Sequence, residues 1–216
     1  MSGAKPTVIF FDCWYTLFTS DMADDLKRIC DVLKVPFNRP FVKHFEHAFM
    51  TKPGLDQHVW ARQLLKALGL PRSSRLTGTI VEIIESGFAR QRPYDDALET
   101  LEQFRHKYRL GLISNTSQAA FEQLDQTFAL SERFDYITNS YAVGAIKPDR
   151  AIFSAALELA QVPAEQAIMI GDNPLDDMAG AQAAGFGRTI LLDRRNRFPS
   201  FLGRIDNLYQ IGTLDA

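Results

Sequence analysis

Apolar positions along this chain fall into two patterns that alternate. Short runs rich in apolar residues recur at Val8–Phe11, Arg109–Ser114, Tyr136–Thr138, Ala167–Ile170 and Arg188–Leu192, and Ile205–Ile211 reads as a short last run of the same kind. Segments this short, bounded by polar or turn residues, read as strands buried in a parallel sheet. Between them apolar residues recur at helical spacing: Phe18–Lys34, Pro40–Met50, Val59–Leu68, Leu76–Ala89, a helix capped by Asp95 or Asp96 and running to about Lys107, Gln118–Phe128, a helix capped by Asp149 and running to about Ala160, and Leu175–Ala184. Breaks fall at Pro36, Pro40, Pro53-Gly54 and Gly69-Leu70-Pro71, and Gly185 is the expected left-handed C-cap of the last helix. Strands alternating with helices predict an α/β fold, a doubly wound parallel sheet. The first four helices follow one another with no strand between them. They predict a small helical unit over residues 18–92, inserted into a core formed by 1–17 and 93–216, with Arg92-Pro93-Tyr94 as the returning hinge.

Composition adds bounds rather than identity. With 216 residues, 46% hydrophobic and 23% charged, the chain can bury a sizeable core in one main domain plus a smaller one. The net charge of −2 gives no electrostatic reason to expect nucleic acid or an anionic membrane as partner, which leaves a small molecule. Oligomeric state, monomer or homodimer, stays open. Cys13 and Cys30 are the two cysteines, and neither sits in a C-x-x-C or a Cys/His ligand pattern. A disulfide scaffold or structural zinc is therefore not expected, and a cytoplasmic location is. Lys5 and the brief apolar run after it are too short for a secretory signal or a membrane span.

Candidate chemistry sits where the predicted strands end. Asp12 ends the first, Ser114-Asn115-Thr116 the second, Lys147-Pro148 lies in the loop after the third, and Gly171-Asp172-Asn173 ends the fourth, with Asp176 and Asp177 close behind. Carboxyl ends of strands in such a sheet lie along one edge, so these groups can converge on one crevice. Taken singly, each has a plainer reading. Ser114 would cap the next helix, Lys147 would be a solvated lysine, and Asp172 and Asp177 would cap the helix near Leu175. Capping leaves unexplained why so many carboxylates gather beside Asp12. Like charges so placed raise one another's pKa unless a cation neutralises them, and Mg2+ is the economical cation. His44 and His47, one helical turn apart without a third ligand, read as a helix face; Cys13 reads as a buried thiol; Arg194, Arg195 and Arg197 read as a solvated loop.

An apolar strand ending in Asp12 with Thr16 four residues on, then Ser114, Lys147-Pro148, and Gly171-Asp172 with Asp176 and Asp177, resembles the four ordered motifs of the haloacid dehalogenase-like hydrolase superfamily. The resemblance implies that residues 18–92 are a helical cap over the active site. It implies Asp12 as nucleophile with Ser114 and Lys147 as its catalytic partners, Mg2+ held by Asp12, Asp172, Asp177 and the main-chain oxygen of Trp14, and a substrate bound beside Trp14, Thr16, Asn115 and Asn173. It also implies phosphoryl transfer through an aspartyl-phosphate. One position departs from the pattern: phosphatases of the superfamily have a second Asp two residues after the first, and this chain has Trp14. Metal-independent dehalogenases of the superfamily carry an aromatic residue there, and Asn173 with Asp176 resembles their fourth motif, whereas Phe153 stands where they have a Tyr. The expectation is a Mg2+-dependent phosphatase acting on a small phosphorylated metabolite. A 2-haloacid dehalogenase is the alternative, and a non-catalytic binding protein on the same fold the second alternative.

Overall fold

A computed structural model describes residues 7–54 and 56–215; Lys5 with the rest of residues 1–6, Leu55 and Ala216 lie outside these. Its six strands are β1 (Val8–Phe11), β2 (Arg109–Ser114), β3 (Tyr136–Asn139), β4 (Ala167–Gly171), β5 (Arg188–Leu192) and β6 (Arg204–Ile205). They pair in parallel in the order β3-β2-β1-β4-β5-β6. β1 is wholly buried because it lies mid-sheet, Phe11 pairing with Leu112 on one side and Ile170 on the other. Side chains of a strand alternate between faces. Ile9 and Phe11 therefore join a core with Leu112, Leu101 and Phe121, while Val8 and Phe10 join one with Met169, Phe153 and Ala181. The chain winds outward from β1 through β2 and β3, then returns to β4 on the other flank. That reversal places the switch point of the sheet between β1 and β4, where a crevice opens at the strand ends.

Helices α1 (Met22–Leu33), α2 (Arg39–Met50), α3 (Gln57–Ala67) and α4 (Ser74–Ala89) fill the connection from β1 to β2. Asn38, Asp56 and Ser73 cap the last three, each side chain accepting a first-turn backbone N–H. Their apolar stripes meet in a separate cluster around Phe45, Phe49 and Trp60, whose ring centroids lie 4.4 to 5.4 Å apart. The helical unit starts later than its periodicity suggests. Phe18 is fully buried and forms bridges to Trp14 and Pro93, and Thr19 N–H donates to Arg92 O at 2.8 Å, so the two connecting segments run side by side.

In the core, α5 (Ala97–Phe104), α6 (Gln118–Phe128), α7 (Leu130–Arg133), α8 (Ser140–Val143), α9 (Arg150–Ala160) and α10 (Gly180–Ala183) complete the layers. Three expectations are corrected. α5 ends at Phe104 rather than near Lys107, and Asp96 precedes it without capping it: its carboxylate instead holds Arg194 at 2.7 and 2.9 Å and accepts the Leu208 N–H. The segment Leu175–Ala184 is not one α-helix but a π-helical turn, Pro174–Ala179, leading into α10. Beyond Arg204–Ile205 the chain forms a 3-10 helix, Leu208–Asp215, so no strand extends to Ile211. Asp149 caps α9 as expected, and Gly185, at φ +91°, takes the left-handed position after α10.

Candidate active site

The switch point gathers the strand-end residues around one buried cation. Asp12 is fixed by its own N–H, which donates to Ile170 O at 2.8 Å and so seats the carboxylate between β1 and β4. Lys147 Nζ lies 2.6 Å from Asp12 Oδ1 and 2.6 Å from Asp177 Oδ1, and donates a third bond to Ile113 O at 3.0 Å. All three proton positions of the ammonium are thus used, which is how a lysine 2% exposed keeps its charge. Burial disfavours that charge, yet the two carboxylates hold the Lys147 pKa above the ordinary lysine value. Burial raises Asp12 against the pull of Lys147. Asp177 is pushed up to about 7 by burial, with the charge of Asp12 adding to it. Asp172 rises to about 6 through burial and the nearby Asp177. Gly171 has no side chain because none fits: a Cβ there would strike the Asp177 carboxylate.

Asp12, Asp172 and Asp177 each offer an oxygen, all within 4.8 Å of one another. Hard oxygen donors so closely set are what Mg2+ requires, and the raised pKa values mark burial first and mutual repulsion second, both of which a divalent cation would offset, so the residues present fit that ion. The plainer readings of these groups fall away. Ser117, not Ser114, caps α6, and Asn173, not Asp172 or Asp177, caps the π-helical turn by accepting the N–H groups of Leu175 and Asp176. Ser114 is completely buried, its Oγ without a hydrogen-bond partner among the described residues. Lys147 is no solvated lysine.

Around this cluster lies a cavity of about 150 Å³, lined by Asp12, Trp14, Asn115, Asn173 and others, with Glu46 and Met50 supplied by α2. Three residues expected to meet a substrate have their polar atoms already engaged. Thr16 is fully buried and donates to Asp12 Oδ2 at 3.0 Å, so it orients the carboxylate rather than reaching into the cavity. Asn115 clasps the Lys147 backbone, accepting its N–H at 2.7 Å and donating to its O at 3.2 Å. Asn173 spends its oxygen on the cap and its amide N–H on Asp176. Trp14 does line the cavity and packs against both the sheet core and the helical cluster.

Several participants were not foreseen. Lys43 of α2 lies 2.9 Å from both Glu46 and Asp176, joining the helical unit to the π-helical turn. Charge at i and i+3 on α2 signals only a helix-surface pair; nothing in it points to an acid far along the chain. The loop after β5 is not merely solvated. Arg194 is clamped by Asp96 and lies over the Tyr94 ring at 4.0 Å, and Arg197 donates to Asp172 at 2.8 Å. With Tyr15, Tyr94 and Arg195 these arginines line a second cavity of about 210 Å³, and Asp172 borders both cavities. Tyr15 itself holds a left-handed φ of 62°, uncommon for a bulky side chain. His44 and His47 are exposed on α2 and Cys13 is a buried thiol, as expected.

Comparison with known proteins bears on the fold and the family. The chain is 28% identical to the pyrimidine 5'-nucleotidase YjjG of Escherichia coli over 82% of its own length and 82% of the relative's. Among solved structures, a 2-haloacid dehalogenase from Pseudomonas syringae superposes with a TM-score of 0.68 at 23% identity, covering 97% of each chain. A HAD phosphatase from Thermococcus onnurineus does so with a TM-score of 0.66 at 21% identity, covering 97% of this chain and 98% of that one. Those two likenesses establish the fold. A family model described as haloacid dehalogenase-like hydrolase matches residues 6–185, which take in β1 to β4 and all four helices of the insertion and stop before β5, and the chain belongs to that family of hydrolases.

Proposed function

We propose that this hydrolase is a Mg2+-dependent phosphatase of small phosphate monoesters, with residues 18–92 as its cap. The observation that carries the reading is the convergence of Asp12, Asp172 and Asp177 within 4.8 Å, three carboxylates against the two side-chain cations that touch them, Lys147 and Arg197, so that an anionic substrate is better received with a further cation bound. Asp12, Asp172, Asp177 and the main-chain oxygen of Trp14 would hold the ion, which when bound supplies Lewis-acid neutralisation of the phosphoryl oxygens. The remaining work belongs to the chain. Asp12, aimed by Thr16 and Lys147, attacks phosphorus to give an aspartyl-phosphate. Lys147 neutralises charge on the phosphoryl group, and the unpartnered Ser114 hydroxyl is the donor in reserve for one of its oxygens. Likeness to a nucleotidase supports a phosphorylated small molecule as substrate class. The two buried free thiols, Cys13 and Cys30, fit action in a reducing compartment such as the cytoplasm.

Trp14 favours a second reading, a haloacid dehalogenase using the same nucleophile without metal. An indole against the cavity would suit an apolar halide-bearing carbon. The two separate in one assay of p-nitrophenyl phosphate and 2-chloropropionate, each with and without Mg2+. Metal-dependent phosphate release decides for the phosphatase; metal-independent chloride release decides against it.

A further inference from the structure

Trp14 leaves a vacancy in the chemistry of phosphoryl transfer. An alkoxide leaving group needs a proton, the water that later opens the aspartyl-phosphate must lose one, and an indole N–H can neither supply nor accept it under these conditions. Five carboxylates line the cavity: Asp12, Glu46, Asp172, Asp176 and Asp177. Four are committed. Asp12 is the nucleophile, Asp177 is held by Lys147 and the Asn173 N–H, and Asp172 belongs to the metal donor set. Asp176 gives one oxygen to both Lys43 and Asn173, and its other oxygen is buried. Glu46 is different. Its Oε2 accepts from Lys43 at 2.9 Å, while Oε1 accepts no hydrogen bond among the described residues and the side chain, 20% exposed, faces the cavity from α2.

We propose that Glu46, supplied by the helical unit, is the general acid and base of this site, standing in for the carboxylate that Trp14 displaces. The inference rests on the phosphatase reading and names the residue that completes it. In the first step Asp12 Oδ bonds to phosphorus, the ester P–O bond breaks, and its electron pair takes the Glu46 proton to release the alcohol. In the second step water bonds to phosphorus and passes a proton to the Glu46 carboxylate. The P–O bond to Asp12 then breaks, its electron pair restoring the Asp12 carboxylate, and phosphate departs.

The surroundings of Glu46 suit a group that works in both directions. Lys43 on its own helix faces it, Asp176 approaches from the π-helical turn, and Lys147 lies across the cavity. One ammonium thus serves two carboxylates, which leaves the trio with a net charge of −1 when both acids are ionised. Burial raises the Glu46 pKa above the ordinary value, Lys43 opposes, and Asp176 adds to the rise. Because Lys43 also ties α2 to Asp176, the acid is in position only while the helical unit is docked on the core.

The test compares wild type with Glu46→Gln on ethyl phosphate and on p-nitrophenyl phosphate, both at saturating Mg2+. The amide keeps the size of the side chain and can still accept from Lys43. Loss of the proton donor should lower kcat for ethyl phosphate by about 10²-fold or more. With p-nitrophenyl phosphate, whose phenoxide needs no proton, the variant should release one equivalent of nitrophenolate in a burst and then stall as the aspartyl-phosphate, because the base for the second step is gone. Glu46→Asp, which keeps a carboxyl group, should lose less than the amide on ethyl phosphate, and it serves as the reporter if Glu46→Gln fails to fold. Equal losses on the two esters without a burst, or no loss at all, would overturn the assignment of Glu46 while leaving the phosphatase reading intact. A wild-type protein that releases phosphate from neither ester would overturn both.

Discussion

Arg197 donates to Asp172 across 2.8 Å, so the carboxylate that ends β4 is paired with a guanidinium from the loop after β5. Arg197 holds only Oδ2, so a metal that takes Asp172 shares the carboxylate with this guanidinium and is opposed by its like charge. Arg197→Ala should therefore tighten Mg2+ binding, the reverse of what deleting a residue at a site usually does. Arg197 is half exposed, its side chain at 49%, so solvent screens the pair and the gain should be modest, about two- to fivefold in Kd. Calorimetric titration of Mg2+ into both proteins measures it. Unchanged or weaker binding by the variant would show that the Arg197 charge does not oppose the ion at Asp172.

Asp177, raised to about 7, and Asp172, raised to about 6, give the metal-free protein an unusual pH dependence. An unfolded aspartate titrates near 3.9, so between about pH 4 and pH 7 the folded state binds protons that the unfolded chain does not. The contribution is fully present below the unfolded value and is lost as pH rises through the folded values. Melting temperature in EDTA should thus fall between pH 5 and pH 8, and Asp177→Asn should flatten the slope. Saturating Mg2+ should restore stability chiefly at the higher pH, since the ion binds the deprotonated carboxylates of the folded state alone. A melting temperature in EDTA that is higher at pH 8 than at pH 5 would contradict the raised values.

Lys147 is the common partner of Asp12 and Asp177, and both carboxylates are buried with it. Lys147→Met keeps the length of the side chain and removes the charge, leaving two carboxylates to face each other. Breaking a buried pair by removing one partner costs about 3–5 kcal/mol, and protonation of the survivors relieves part of it. Urea unfolding should show the variant markedly less stable than wild type at pH 8 and closer to it at pH 5. Asp12→Asn is the contrasting change. An amide is no nucleophile, so turnover should vanish while the fold persists, because the amide keeps the size of the side chain, its one oxygen still accepts from Lys147, and the Thr16 hydroxyl can turn to accept from the new NH2 group. Near-normal activity of Asp12→Asn would rule out the covalent route.

Asp12, Ser114 and Asp172 were legible in the sequence for a simple reason: each ends, or directly follows, an apolar run that belongs mid-sheet, and parallel strands deliver such ends to one edge, whereas Lys147, beyond the edge strand β3 and α8, was legible through its place in the ordered motifs. β2, β5 and α6 fall where the pattern places them, residue for residue. What stayed hidden depends on partners far apart in the chain. On α2, the periodicity sorts Phe41, Phe45 and Phe49 inward and leaves Lys43 and Glu46 on the face that ordinarily meets water. That this face meets the core instead follows from how the helical unit docks, which no local pattern records. The same holds for Asp96, read as a helix cap but drawn to Arg194, and for Asp172, whose partner Arg197 lies beyond β5. Asn173 was missed as a cap because a π-helical turn follows it, and the carboxylates beside it drew the expectation to themselves.

Trp14 and Glu46 together make the last prediction. If Glu46 already transfers the proton, installing the usual carboxylate with Trp14→Asp should add little to the wild-type rate on ethyl phosphate, since a second acid at the same step is redundant. In a Glu46→Gln background the same substitution should restore activity, by about tenfold or more, short of the full 10²–10⁴ range because a carboxylate without a supporting shell is seldom well placed. The structural cost runs the other way. Trp14 packs against both apolar clusters, and truncating a fully buried Trp costs about 3–5 kcal/mol, an upper bound for this half-buried one. Melting temperatures must accompany the rates, and the informative quantity is the ratio of the two Trp14→Asp effects, in which a shared loss of stability cancels. A large ratio places both side chains in one role. Equal gains in the two backgrounds would mean that wild type works without an acid, and Glu46 would then be part of the contact between α2 and the core and nothing more.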